Sequence, residues 1–213
     1  PITAIKTFNE LLRSGAADDA DLRAEFLGES QAQIEKLEWI THNLLDLSRL
    51  DSGTAQMDIA THDVGELLQA AASTFKQSAL EKKVELAVKI PTPALLLKCD
   101  RARMEIAVSN LIDNALKFTP TGGAIHVSAE SHKGAVRIIV NDNGPGVDQA
   151  DLPHLFERFY RGKSTVTQGS GLGLALVKSI VTAHHGIVSV ESALGHGSAF
   201  SIEIPIDMNS HPI

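Results

Sequence analysis

Cysteine is all but absent. Cys99 stands alone among 213 residues, so no disulfide closes within the chain, and a reducing compartment suits it. Aromatic side chains make up 4% of the sequence, too few for a base-stacking nucleic-acid surface. Positive charge is also short: 19 Lys and Arg stand against 26 Asp and Glu. The net charge of −7 argues against a phosphate-backbone binder but leaves room for a local basic pocket. No apolar run approaches the roughly 20 residues needed to cross a bilayer. No signal peptide opens the chain, and a start at Pro1 points to a piece of something longer. Internal repeats and low-complexity segments are missing as well. What is present is an ordinary globular composition, 43% hydrophobic and 21% charged, sufficient for one domain and a smaller module.

Ile2, Ile5, Phe8, Leu11 and Leu12 repeat at helical spacing and predict a helix over 2–13, ended by Gly15. After a polar connection, a second helix is expected over about 22–50. Its seam of Phe26, Leu37, Ile40, Leu44 and Leu47 follows the three-and-four spacing of a bundle core. Such a hairpin cannot cover its own seam. Pairing with a second copy as a two-fold four-helix bundle covers it; packing against the chain's own second half is the alternative. Asp51-Ser52-Gly53 reads as a helix stop and a boundary. Beyond it strands are expected near 57–59, 84–90, 95–98, 125–129, 136–140, 187–191 and 199–204. Helices are expected over 64–82, after a cap at Asp100, and over 172–184. That mixture predicts one sheet with helices on one face.

On the helix after Asp100, Asn110, Asn114 and Lys117 share a stripe roughly 60° wide at about 3.6 residues per turn. Met104, Val108, Leu111 and Ala115 form a separate apolar stripe, so the polar one is expected to stay free. Amide oxygens ligate hard cations such as Mg²⁺, and an ammonium meets phosphate oxygens. A plain solvated face is the other reading.

Asp142-Asn143-Gly144-Pro145-Gly146 follows a strand core of Ile138, Ile139 and Val140. A carboxylate held at the end of a stiff element suits a donor such as an exocyclic amine, and neighbouring glycines let a planar ligand approach. Read alone, it is equally a polar turn. Gly169-Ser170-Gly171-Leu172-Gly173 opens a helix, where unpaired N–H groups and the dipole favour phosphate. It is not a P-loop, because no Lys-Ser or Lys-Thr pair follows. Nor is it a dinucleotide fingerprint, because no strand directly precedes it. Between the clusters, Phe156, Arg158, Phe159, Tyr160 and Arg161 precede a polar stretch, as a lid over a nucleotide requires.

In order and spacing these blocks resemble the sensor histidine kinases of two-component signalling. Asn110 to Lys117 is similar to that family's asparagine box and Asp142 to Gly146 to its first glycine box. Phe156 to Arg161 is similar to its phenylalanine box, and Gly169 to Gly173 to its second glycine box. Leu44 to Leu50 resembles the end of its dimerisation and phosphotransfer helices, so the likeness covers nearly the whole chain. It implies an α+β chain: a hairpin over 1–53, half of a dimeric four-helix bundle, then an α/β sandwich of the Bergerat ATP-binding type over 54–213. By the same resemblance Asn114 and Asn110 would bind Mg²⁺, Lys117 and Arg161 phosphate oxygens, and Asp142 the adenine amine of ATP. Gly144 and Gly146 would adjoin the base and Tyr160 would border the nucleotide. Gly169, Gly171, Leu172 and Gly173 would shape the lid hinge and phosphate contact. The implied partners are a second copy and a response-regulator receiver domain. The implied setting is the cytoplasmic side of a sensor tied to a membrane only through upstream segments.

The departure is at the front. The family's phosphoacceptor box reads His-Glu-x-Arg-x-Pro, and Pro1 matches only its final proline, which places the expected nucleophile five residues before Pro1. None of the nine histidines occupies a replacement box. His42 reads as structural, and His184-His185 as a helix C-terminus where histidine suits the dipole, with a zinc pair the lesser alternative. Two other functions compete: an ATPase of the chaperone, mismatch-repair or topoisomerase kind, and a nucleotide-binding pseudokinase or scaffold dimer. The phenylalanine box and the hairpin disfavour the first. Retention of Asn114, Lys117, Asp142 and the second glycine cluster disfavours the second.

Overall fold

The computed structural model describes residues 1–14, 19–162 and 170–206. The chain divides into two compact units, Pro1–Ser48 and Arg49–Ile213. In the first, α1 (Ile2–Arg13) forms where the apolar spacing places it, and α2 (Ala20–Asp51) extends slightly beyond 22–50 at both ends. The rings of Phe8 and Phe26, 5.9 Å apart at their centroids, join the two helices. Leu27, Ile34, Trp39, Leu44 and Leu45 keep much of their surface exposed, so α1 alone does not cover the apolar side chains of α2. His42 stands in solvent, its Nε2 3.9 Å from Asp46 one turn on. Gly53 follows the end of α2 at φ +67°, a left-handed position that glycine takes without penalty.

The second unit holds β1 (Ile59–Asp63), α3 (Val64–Ser73), α4 (Lys76–Lys82), β2 (Glu85–Lys89) and β3 (Leu96–Asp100). It continues with α5 (Arg101–Phe118), β4 (Ala124–His132), β5 (Ala135–Asp142), α6 (Gly173–Ala183), β6 (Ile187–Ser192) and β7 (Ser198–Pro205). Five strands make a sheet in the order β2-β4-β5-β7-β6, with only the β2–β4 pair parallel. Register stacks Val127 on Val140 and Phe200, and sets Ile138 opposite Ile202 and Val136 opposite Ile204. These side chains point to one face, and all are buried. Helices α3, α5 and α6 pack against it.

Two expectations fail in instructive ways. The helix expected over 64–82 is two helices. Ser73 Oγ and Thr74 Oγ1 bond back to the carbonyls of Ala70 and Ala71 at 2.7 and 3.1 Å, diverting the ladder at the break. The single sheet is also wrong, because β1 and β3 form a separate antiparallel pair. Strand β3 ends at Asp100, the cap of α5, and so stays with the helical layer.

Candidate functional site

Helix α5 is fixed at both ends. Asp100 accepts from the backbone N–H of Arg103 and of Asp58, both at 3.1 Å. At the far end Lys82 Nζ donates to the carbonyls of Leu116 and Lys117, at 2.6 and 2.9 Å, where a cation also suits the dipole. Met104, Val108, Leu111 and Ala115 are buried beneath it, as their spacing predicts. Asn110, Asn114 and Lys117 stand partly exposed on the other stripe. Lys117 lies 4.0 Å from Asp113, a loose pair at the surface. The Asn114 side chain makes no hydrogen bond among the described residues. Asn110 is braced instead: its Nδ2 donates to the Ile106 carbonyl at 2.8 Å, and a Cβ on Gly173 would lie 2.8 Å from its Oδ1. Glycine at 173 thus lets the first turn of α6 reach the asparagine stripe.

The two-residue period of β5 carries Asp142 onto the inward face, in line with Val136, Ile138 and Val140. Its carboxylate is therefore almost out of water, at 7% exposure. Burial raises its pKa above the ordinary carboxylate value, and the backbone N–H groups of Gly144 and Ser198 oppose the rise. The Gly144 bond is 2.8 Å long. Two such donors leave a carboxylate with lone pairs to spare. Gly146, at φ +72°, is backed so tightly that a Cβ would collide with the Ala193 carbonyl. The turn over 193–197 closes on this segment, with Gly195 N–H on the Pro145 carbonyl at 2.7 Å and Val147 N–H on Ser192 Oγ at 2.9 Å. Nothing local marks Ser192 and Ser198 as supports, although the glycine pair Gly195 and Gly197 is a visible turn signal.

The phenylalanine segment is pinned along its length. Phe156 meets Phe200 of β7 edge-on, ring centroids 6.4 Å apart. Phe159 sits at φ +63° and donates its N–H to the Gly171 carbonyl at 2.8 Å. Gly171, itself at φ +69°, abuts it so closely that a Cβ would lie 2.7 Å from the Phe159 carbonyl carbon. The Tyr160 hydroxyl donates to Asp151 Oδ1 at 2.7 Å, and that bond holds the phenol pKa up. Arg161 is exposed and engaged in an interaction. The Leu172 side chain is fully buried, so it presents only backbone outward. Gly169 lies outside the described residues.

His184 is buried and neutral. Its Nδ1 donates to the Ile180 carbonyl at 2.8 Å and its Nε2 accepts the Asp100 N–H at 2.9 Å, tying the end of α6 to the cap of α5. Burial lowers its pKa, so it closes the helix as a neutral group and not as a charge on the dipole. Among the described residues, no cluster of three His, Cys, Asp or Glu could hold a metal, which leaves the zinc reading without support.

Residues 99–208 match the family model described as Histidine kinase-, DNA gyrase B-, and HSP90-like ATPase, and residues 1–53 that of the His Kinase A (phospho-acceptor) domain. The chain belongs to the histidine kinase-like ATPase family. Together the two matches make it the catalytic core of a sensor histidine kinase. It is 32% identical over 208 residues to the sensor-like histidine kinase SenX3 of Mycolicibacterium smegmatis, covering 96% of this chain and 54% of that protein. It is 30% identical over 210 residues to the sensor histidine kinase WalK of Bacillus subtilis, covering 96% and 34%. The chain thus spans about half, or less, of these relatives. Among solved structures, the histidine kinase AdeS of Acinetobacter baumannii superposes with a TM-score of 0.78 at 25% identity, over 97% of this chain and 95% of that one. Full-length ShkA in complex with AMPPNP gives 0.75 at 30% identity, over 92% and 41%. The sandwich of the histidine kinase ATPase domain is therefore the fold of the second unit. No described helix of this kinase core is long and apolar enough to cross a membrane.

Proposed function

We propose that the chain binds Mg-ATP and transfers its γ-phosphoryl group to a histidine, and that the group then passes to an aspartate of a response-regulator receiver domain. The observation that carries this reading is Asp142: a buried acceptor at a strand end, held by two backbone donors and still able to accept from an exocyclic amine. The residues fit the rest of the ligand. Gly144 and Gly146 let the chain turn tightly beside Asp142, and Lys117 and Arg161 supply positive charge for phosphate oxygens. By the resemblance Gly169, Gly171, Leu172 and Gly173 would shape the lid hinge and the phosphate contact, and Tyr160 would border the site. Asn114 and Asn110 would hold Mg²⁺, which would neutralise phosphate charge there. Phosphoryl transfer asks mainly for position and charge neutralisation, so a set without a strong base suffices on this side. The bond from the γ-phosphorus to the bridging oxygen breaks and one to an imidazole nitrogen forms. In the family's box the acceptor histidine stands five residues before the proline that Pro1 matches. A complex of the 30%-identical ShkA with AMPPNP supports the nucleotide assignment.

The exposed apolar side chains of α2 support a homodimer through the hairpin. Light scattering should report a dimer at micromolar concentration, and Leu44→Asp a monomer, because an unpaired carboxylate would have to be buried; a monomer for the unmutated chain contradicts the pairing. For the chemistry, the natural protein is incubated with γ-labelled ATP and its label tested in acid. Acid-labile label, lost when the box histidine is replaced, is expected. Acid-stable label, or label that survives that replacement, overturns the assignment.

A further inference from the structure

Asp151 belongs to none of the four boxes, yet it is only 8% exposed and meets the chain at two places, one in the phenylalanine box and one just past it. Oδ1 accepts the Tyr160 hydroxyl at 2.7 Å. Oδ2 lies where Gly162 comes closest: a Cβ there would stand 2.6 Å from it. The residue between these two contacts is Arg161. On the opposite side the chain is held again, by the Phe159 N–H on Gly171 and by the approach of Gly171 to within 2.9 Å, measured from its absent Cβ, of the Tyr160 carbonyl oxygen. The Tyr160 ring also lies beside His154, centroids 5.3 Å apart, while His154 is occupied with Glu157 at 2.8 Å.

One consequence is chemical. A phenol has one proton to donate, and here it is spent on Asp151. Tyr160 therefore cannot offer that proton to a phosphate oxygen while the bond stands. Its part is to hold the backbone at its own position, one residue before a guanidinium whose value to a phosphate depends on placement.

We infer that Asp151 is a positioning residue for the phosphate end of the nucleotide site, acting through the Tyr160 hydroxyl and the Gly162 backbone to fix where Arg161 stands. This rests on the proposed binding of Mg-ATP. It assigns Asp151 no contact with the nucleotide. It separates the two ends of the ligand, because the Tyr160–Asp151 bond involves neither Asp142 nor the glycines beside it.

Calorimetry with Mg-ATP and with adenosine tests it on the full chain, using Tyr160→Phe, Asp151→Asn and the double variant. Tyr160→Phe removes one oxygen from a partly exposed ring and keeps the test readable if Asp151→Asn folds poorly. Each single change should weaken Mg-ATP about tenfold, the size of one charge-assisted hydrogen bond, and leave adenosine unchanged. The double variant should be no weaker than the worse single, because both changes break one linkage. Parallel loss of ATP and adenosine would mean a merely structural role. Unchanged ATP affinity in Tyr160→Phe, or additive losses, would also overturn the inference while the ATP reading stands. No binding of Mg-ATP by the unmutated chain would sink both, and shows which failed first.

Discussion

At the proposed adenine end the acceptor is a carboxylate on the inward face of a central strand, 7% exposed and carrying a raised pKa. At the proposed phosphate end, Asn110, Asn114 and Lys117 lie partly exposed along one helix, over a row of buried apolar residues. The first arrangement fixes one acceptor in one direction and costs stability, because an ionised carboxylate has left water. The second costs little to fold and leaves Asn114 and Lys117 movable, with Asn110 braced by its bond to the Ile106 carbonyl. On the proposed function, selectivity for a base would sit where the fold is rigid, and charge neutralisation by Asn114 and Lys117 where it is more compliant. Substitutions at the two ends should separate stability from function in opposite ways.

The largest effect is expected at the compliant end. Asn114→Ala should lower phosphoryl transfer by about 100-fold or more, since a lost Mg²⁺ ligand forfeits several kcal/mol of charge stabilisation. Thermal unfolding should stay near that of the unmutated chain. Single-turnover transfer with labelled ATP in the protein that carries the box histidine, beside a melting curve, reads both. At the rigid end Asp142→Asn should weaken ATP by about 10- to 150-fold, the worth of a charge-assisted hydrogen bond, and yet raise the melting temperature at pH 7. The sign follows from linkage: Asp142 has a folded pKa above its ordinary 3.8. Its favourable contribution is full below that value and is lost as pH rises through the folded one, so at neutral pH the ionised group is a burden that asparagine removes. A fall in melting temperature would contradict this.

Gly146→Ala should cost about 2–4 kcal/mol in chemical denaturation, because φ is +72° and the new Cβ meets the Ala193 carbonyl. Gly122→Ala, at φ +83° with nothing within 4 Å, should cost only about 1 kcal/mol. The smallest effect is expected at His184, whose folded pKa lies below its ordinary 6.5. Its stabilising contribution is present above pH 6.5 and is lost as pH falls through the folded value. Asp142 and His184 thus tilt stability in opposite directions. His184→Gln should flatten the acid limb by less than about 1.4 kcal/mol per pH unit, seen in urea melts from pH 7 to 5.

The compliant end was the more legible in sequence. A stripe of two amides and an amine over an apolar stripe is a local pattern, and α5 forms as its spacing requires. The position of Asp142 after a strand core was legible as well, but its burial follows from register with β7, where Asp142 pairs with Ser198, 56 residues on. Long-range supports left no local mark. Lys82 caps α5 from another helix, His184 ties α6 to Asp100, and Asp151 reaches Tyr160 from outside any box. The break after Ser73 was missed because Ser73 and Thr74 interrupt an otherwise helical apolar pattern through their own hydroxyls, a choice that propensity leaves open.

The division between a rigid, selective end and a compliant, charged one is tested most directly by titrating Mg-ATP and Mg-GTP into the unmutated chain and into Asp142→Asn by calorimetry. Guanine presents a carbonyl where adenine presents an amine, so a carboxylate should reject it. The unmutated chain should bind ATP at least about tenfold more tightly than GTP, and the preference should collapse in Asp142→Asn. Equal affinities in the unmutated chain, or a preference that survives the substitution, would contradict the assignment of Asp142 to the base.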